Sequence, residues 1–416
     1  MSMLNAVFSE IEKQFDDAFT SKKKYSLKYA NILSHISGEE KRAVRVRSCA
    51  TFWEYGHYSD DSVKFHGANF CKDVLCPQCA KRKSLKLFRE VYECVEYLSK
   101  DYEFLFLTLT MKDVVADDLN EACDYLGKCY VNLMHRDRMK FVKGSFRSLE
   151  ITHDNREFIT NDMYFGNKKK HMKSKQHYYD RLGLKVGDKN PHFDYYHPHL
   201  HAILVVEKDY FKSADYLKQE ELVSIWKDVL FVDYTPVCHI TVCKAKEICH
   251  ITSCKGKEKN QDRSVFVSGE KVASTSIASA VAEVAKYSVK GSDFLSGSND
   301  EVNEKTVKTL LSCLKNRKMF LFYGVFREAR ALLRNTDSSL IDDNDLCFAD
   351  DPDVVVPAAL PAFGSAPVLV GRLFFHWHDS ESRYISTYKE VIDINSLVGV
   401  VLHDVDLSEI VGDGDG

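Results

Sequence analysis

The stretch Tyr196-His-Pro-His-Leu-His-Ala-Ile-Leu-Val-Val206 decides how this chain is read. Its second half is a short apolar run of the kind that forms a buried strand. Alternate side chains of a strand share one face. His199 and His201 therefore point the same way, and His197 joins them if the strand extends back. Two imidazoles on one strand face make half of a divalent-metal site with positions left open for substrate oxygens. One histidine in such a place is more often structural, but three at every second position ahead of an apolar run are a strong signal. A carboxylate from a neighbouring strand would complete the site. Glu150, in Ser148-Leu-Glu-Ile-Thr152, sits on the nearest strand upstream. Either Glu150 or His197 can serve as the third ligand.

The flanking segments alternate between strand and helix patterns. Residues 104–110 (FLFLTLT), 148–153 and 235–244 read as strands or extended segments. Residues 85–98, 117–142, 215–229 and 279–290 read as helices, the last closed by Gly291, and 303–335 is mostly helical. An amphipathic helix over 4–19 carries Phe8, Phe15 and Phe19 on one face, and Lys22 to Lys24 follow it as basic punctuation. Residues 155–191 are polar and lysine-rich, which predicts a long surface hairpin or insertion.

Overall charge is nearly balanced, with 57 Lys and Arg against 61 Asp and Glu. The balance hides an asymmetry. Residues 341–416 hold 15 acids and 3 bases, leaving 46 acids and 54 bases in residues 1–340. A basic body with an acidic tail points to a polyanionic partner for the body. The longest uncharged stretch, 354–371, is interrupted by Pro357, Pro361 and Pro367, so no membrane span is expected. The N-terminus has neither a basic nor an apolar leader region. Thirteen scattered cysteines without a leader predict reduced thiols and a cytoplasmic protein.

Four of those cysteines have ligand spacing. Cys71-Lys-Asp-Val-Leu-Cys76-Pro-Gln-Cys79 lets three sulfurs converge on one Zn²⁺. Cys49 is the preferred fourth ligand, with His57 and His66 as substitutes. Lys81, Arg82, Lys83 and Lys86 follow on the next helix. Farther on, Glu283, Tyr287 and Lys290 fall on one face of a helix, with Lys286 beside them. A phenol with an ordinary pKa near ~10 attacks poorly unless cations or a metal stabilise its oxyanion. Alone, such a face is usually only solvated. Cys238, Cys243, Cys249 and Cys254 are read as strand-and-loop residues rather than a second zinc site.

Taken in order, these motifs resemble the HUH endonucleases, and within them the rolling-circle replication initiators of small Gram-positive plasmids. The family's FLTLT strand is matched by Phe106-Leu-Thr-Leu-Thr110, its HUH strand by the stretch from Tyr196, and its tyrosine helix by Glu283-Val-Ala-Lys286-Tyr287-Ser-Val-Lys290. The cysteine segment precedes the first of these, as in the family. The resemblance covers roughly residues 45–335 and implies an α+β fold, a central antiparallel sheet flanked by helices. Within it lie a zinc-binding and DNA-contacting module (45–100) and an endonuclease domain (101–335), preceded by an N-terminal helical extension (1–44) that the resemblance does not cover. An acidic, Pro/Ala-rich linker (336–371) and a small acidic tail domain (372–416) complete the chain, the tail being expected to be dispensable for chemistry.

The implied activity is metal-dependent nicking of one DNA strand. His199 and His201, with Glu150 or His197, would hold Mg²⁺ or Mn²⁺. Tyr287 would attack, leaving a 5′-phosphotyrosine and a 3′-OH primer, with Lys286 and Lys290 offsetting negative charge. Glu283 would activate water for the terminating cleavage. Implied partners are plasmid origin DNA, as a hairpin or single-stranded nick site, and the host helicase and polymerase. No membrane partner is expected, and a homodimer is left open. A single-tyrosine HUH transposase and a non-enzymatic zinc-dependent DNA-binding regulator are the alternatives.

Overall fold

The computed structural model describes residues 12–13, 15–59, 62–166, 173–244, 264–267, 270–286, 289, 295, 300–336 and 368–390. Helices α1 (Ser21–His35) and α2 (Glu40–Arg47) lead into the hairpin of β1 (Phe52–Tyr58) and β2 (Val63–Ala68). The long helix α3 (Pro77–Leu98) starts directly at the cysteine segment, with Cys76 as an extended N-cap and Pro77 in its first turn. A proline is favourable there because its missing N–H has no intrahelical partner to lose. The chain continues through β3 (Tyr102–Thr110), α4 (Leu119–Met134), β4 (Gly144–His153), α5 (Asn161–Phe165) and α6 (Lys173–Arg181). Next come β5 (Tyr196–Glu207), α7 (Gln219–Leu230), β6 (Cys238–Lys244), β7 (Ser264–Val267), β8 (Glu270–Ser276) and α8 (Ile277–Val284). Helix α9 (Asp300–Leu314), β9 (Phe320–Gly324), α10 (Val325–Thr336), β10 (Leu369–His378) and β11 (Arg383–Glu390) complete the described elements.

The α+β class expected from the sequence is present, with a central sheet flanked by helices. Seven strands run in the order β7-β8-β6-β3-β5-β4-β9. All neighbours are antiparallel except β6 and β8, which pair in parallel, so the sheet is mixed rather than purely antiparallel. Strand β5 lies between β3 and β4, and its alternation divides the core into two layers. Leu200, Ala202, Leu204 and Val206 join Leu105, Leu107 and Leu109 of β3 in the layer covered by α4 and α7. Ile203 and Val205 join Phe104 and Phe146 in the layer covered by α3, α8 and α10. His199 and His201 have the same parity as Ile203 and Val205, so they continue the second layer toward the end of the sheet.

Pairing of β4 with β9 requires one glycine. Gly324 has φ +54°, and a Cβ there would lie 2.2 Å from the carbonyl oxygen of Lys143. The left-handed backbone and the close approach both exclude a side chain. The segment expected as a surface hairpin or insertion forms no hairpin among its described residues but carries α5 and α6 around a small core of Ile159, Met163, Tyr164 and Tyr179. The last predicted helix begins at Ile277, capped by Ser276 Oγ accepting from the Ser279 N–H at 3.1 Å, and ends at Val284. Beyond residue 286 only Val289 of that reading is described; Tyr287 and Lys290 lie outside the described residues, as do Cys249 and Cys254.

The C-terminal segment departs from the sequence reading. Strand β10 pairs antiparallel with β1, bringing Phe375 opposite Trp53, in a second sheet ordered β11-β10-β1-β2. The described part of 372–416 is thus paired onto the β1–β2 hairpin beside the cysteine cluster and is not a domain apart. The cause is the inward face of β1. Trp53 and Tyr55 need apolar cover, and Phe375 with Phe15 supplies it; those two rings stack with centroids 3.8 Å apart. Tyr384 Oη donates to the carbonyl of Ala50 at 2.6 Å, and Gln78 Nε2 donates to Tyr384 Oη at 3.2 Å. Phe375→Ala is expected to cost about 3–5 kcal/mol of stability, the usual range for emptying a buried aromatic site. Chemical unfolding followed by tryptophan fluorescence measures it, and loss within error of wild type would show the tail strand to be peripheral.

Candidate active site and cysteine cluster

The register of three strands builds the site. Glu150 of β4 lies opposite His199 of β5, and Thr108 of β3 lies opposite His201. Glu150 Oε2 is 3.3 Å from His199 Nε2 and 3.4 Å from His201 Nε2. All three residues are buried, at 5%, 9% and 7% exposure. The ring orientations are set from behind. His199 Nδ1 lies 3.1 Å from the carbonyl oxygen of His197, which can only accept, so Nδ1 carries the proton and Nε2 presents its lone pair to Glu150. His201 Nδ1 is 3.1 Å from Thr108 Oγ1, and its ring stacks on Phe106. With the ring neutral, that lone pair and the Glu150 oxygen together are a ligand pair for a cation placed between them. The triplet therefore fits a divalent ion held by two nitrogens and one oxygen, with the remaining positions open.

His197 stands outside this triplet. Its Nδ1 is 2.6 Å from Asp113 Oδ1, and His192 Nδ1 is 2.9 Å from Asp113 Oδ2. Burial alone would push Asp113 up, but the hydrogen bonds from His192 and His197 outweigh it and hold the carboxylate well below its usual range. The bond to Asp113 raises His192 in turn. Asp113 escaped the sequence reading. Its signal was its position three residues beyond the FLTLT strand, where β3 ends beside the histidines.

Helix α8 brings a further carboxylate to the triplet. Glu283 Oε1 is 3.8 Å from His201 Nε2, and its Oε2 pairs with Lys286 Nζ. The end of α8 is fastened to α3, where Ser84 Oγ donates to the Ala285 carbonyl at 2.6 Å. Among the residues after α3 begins, Lys83 is exposed and its Nζ lies over the Phe320 ring, while Arg82 lies over Phe70 and Phe65. Lys81 and Lys86 are half-buried on the same helix.

The cysteines converge as their spacing suggested. The sulfurs of Cys49, Cys71, Cys76 and Cys79 all lie within 4.8 Å of one another, with Cys49–Cys79 at 3.6 Å, Cys71–Cys79 at 3.5 Å and Cys76–Cys49 at 3.6 Å. The edge of a tetrahedron with sulfurs ~2.3 Å from its centre is ~3.8 Å, whereas a disulfide needs ~2.05 Å. The spacing fits a closed thiolate metal site. His57 and His66 are engaged elsewhere: His57 Nδ1 is 3.0 Å from Tyr388 Oη, and His66 Nε2 is 3.1 Å from Tyr58 Oη. Hydrogen bonding with the Cys49, Cys71 and Cys79 thiols holds Cys76 well below the ordinary thiol range, and the same network pushes Cys49 up. One thiolate is thus prepared, and Cys49 and Cys71 need a cation to release their protons.

Lys23, the middle residue of the basic punctuation at Lys22 to Lys24, is fully buried. Its Nζ donates to the carbonyls of Arg47 at 2.8 Å and Cys49 at 2.6 Å. Burial lowers its pKa against the pull of the neighbouring thiols. No local pattern distinguishes it from Lys22 or Lys24.

A family model described as Replication protein, Rep_1, matches residues 62–385. The chain belongs to this replication protein family. The matched span runs from the β1–β2 turn region into β11, so it takes in Cys71, Cys76, Cys79, the Glu150–His199–His201 triplet and β10. The family agrees with the resemblance to Gram-positive plasmid initiators read from the motifs. A curated relative called Protein rep from Streptococcus pneumoniae is 27% identical over 342 residues, covering 81% of this chain and 85% of its own. A Protein rep from a Bacillus species is 29% identical over 311 residues, covering 74% and 84%. One from Staphylococcus aureus is 26% identical over 284 residues, covering 67% and 95%. No solved structure matches the chain. Among the described residues, no helix is long and apolar enough to cross a membrane.

Replacing Cys79 by serine is expected to drop bound metal from about one equivalent per chain to near none, because a closed site depends on all its thiolates. Metal content of the purified protein measures this. Full retention of metal would place the ion elsewhere.

Proposed function

We propose that this member of the replication protein family initiates rolling-circle replication of a plasmid by nicking one strand at the origin. The observation that carries the reading is the buried triplet of Glu150, His199 and His201, whose two imidazoles and carboxylate converge from adjacent strands. Mg²⁺ or Mn²⁺ held there would supply Lewis-acid polarisation of the scissile phosphate. Glu150, His199 and His201 would hold that ion, and Thr108 and the His197 carbonyl keep both rings aimed. His197 acts with Asp113 behind the site.

The nucleophile in this reading is Tyr287, the residue that follows Lys286 in the chain. Its phenol oxygen bonds to phosphorus while the bond from phosphorus to the 3′ oxygen breaks. The phenol gives up its proton, and the leaving oxygen gains one. A 5′-phosphotyrosine and a free 3′-OH primer result, with Lys286 and Lys290 offsetting charge on the phosphate. Glu283, beside His201, then takes a proton from the water that performs the terminating cleavage before strand joining. Zn²⁺ at Cys49, Cys71, Cys76 and Cys79 is structural, and it fixes the start of α3, which carries Lys81, Arg82, Lys83 and Lys86 to the DNA. The partners are origin DNA and the helicase and polymerase of the host, in the cytoplasm.

Tyr287→Phe is expected to abolish covalent attachment to a single-stranded origin oligonucleotide while leaving duplex binding intact. A gel-stable adduct with the Phe variant would move the nucleophile elsewhere, first to the exposed Tyr195 rather than the buried Tyr196. The double change His199→Ala/His201→Ala should slow nicking by about a hundredfold or more, equivalent to about 2.7 kcal/mol of barrier. Glu283→Gln should leave the first nick largely intact and impair termination, so over-long single strands accumulate. Equal loss of both steps would make Glu283 a metal or structural residue.

A further inference from the structure

Between the start of α3 and the end of α8 lies a cavity of about 310 Å³. That is the lower end of the size of small-ligand pockets, roughly 300–1,000 Å³. Five basic side chains line it against a single carboxylate, Asp73. That carboxylate is already engaged, 3.0 Å from Arg42 Nε and accepting from Tyr29 Oη at 3.0 Å. The wall therefore favours an anion. It also carries flat surfaces: Phe70 and Phe320 face the cavity, with the Arg82 guanidinium 4.5 Å from the Phe70 centroid and Lys83 Nζ 5.5 Å from that of Phe320. The floor is apolar, with Val289, Leu314 and Met319. One ion pair links the cavity wall to the candidate active site. Lys286 lines it and pairs with Glu283, which is 3.8 Å from His201 Nε2.

We infer that this cavity receives one unstacked base of the single strand next to the nick site, and that it is where the cysteine module reads or grips the strand. The inference rests on the proposed single-stranded substrate and adds a subsite to it. The base lies against Phe70 or Phe320 over the apolar floor, and its flanking phosphates reach Lys83 and Lys86 on the rim. Aromatic and guanidinium planes bind any base by stacking, and an unstacked base is what a locally single-stranded substrate offers. An acidic peptide would satisfy the lysines but would leave the flat walls without a matching surface. The hydrogen bond from Ser84 to Ala285 holds the two walls together, so a base seated here has a set distance from the triplet.

The test uses the full chain and an oligothymidylate of roughly 15 nucleotides carrying one 5-iodouracil, without added divalent cation so that it is bound but not cut. Irradiation should cross-link the iodouracil to Phe70 or Phe320, located by mass spectrometry of the digested adduct. Lys83→Ala/Lys86→Ala should weaken binding of the same oligonucleotide about tenfold near 0.1 M salt and flatten the salt dependence of its binding by about 1.4. Cross-links confined to residues outside the cavity, or unchanged binding and salt slope in the double variant, would overturn the inference. The outcomes separate it from the proposed activity. Wild-type protein that nicks an origin strand but cross-links elsewhere retains the function and loses the subsite. Protein that cross-links at Phe70 or Phe320 while Tyr287→Phe still forms the adduct retains the subsite and loses the assigned nucleophile.

Discussion

Burial of β5 on both faces is the constraint on which the molecule depends. A central strand with an apolar layer on each side has one permitted register, because a slip by one residue would exchange the two layers. Leu200, Ala202, Leu204 and Val206 must face α4 and α7, and Ile203 and Val205 must face α3, α8 and α10. The same register leaves no freedom for His199 and His201. They are carried to one face as the continuation of a core stripe, and β4 and β3 then deliver Glu150 and Thr108 opposite them. The candidate metal site is thus an edge of the hydrophobic core, and its geometry inherits the rigidity of close packing.

Helix α3 links this core to the cysteine cluster. Its first turn contains Cys79 and begins one residue after Cys76, while Leu87, Val91 and Val95 pack on the sheet layer beneath α8. A metal closing the four thiolates would fix one end of a helix whose other end is already fixed by burial. Basic side chains between the two ends are then presented at a set position beside Glu283 and Lys286. The Ser84 to Ala285 hydrogen bond joins the helices at this point. Nearby, the buried Lys23 holds the carbonyl of Cys49 and places a positive charge beside the sulfurs, where a tetrathiolate site would carry excess negative charge.

The small sheet shows how distant parts of the chain are recruited to one module. Phe15, Trp53 and Phe375 come from three separated segments and meet in a single aromatic cluster. Each segment alone would expose a large apolar surface. Their assembly explains why the cysteine module needs strands from near the C-terminus, and why the family match extends to residue 385.

Short-range pattern by itself determined much of this protein. Period-two alternation ahead of the run at 202–206 placed His199 and His201 on one face, and ligand spacing grouped Cys71, Cys76 and Cys79. These are local statements, and backbone geometry enforces them wherever the segment sits. Tertiary structure decided what local pattern cannot encode. It set Glu150 against both imidazoles and turned His197 toward Asp113. It buried Lys23 and left Lys24 exposed, and it laid β10 on β1 across some three hundred residues of chain. Each of those outcomes depends on which surfaces need cover and which strands are adjacent. That adjacency arises only when the whole core is packed, so no window of sequence contains it.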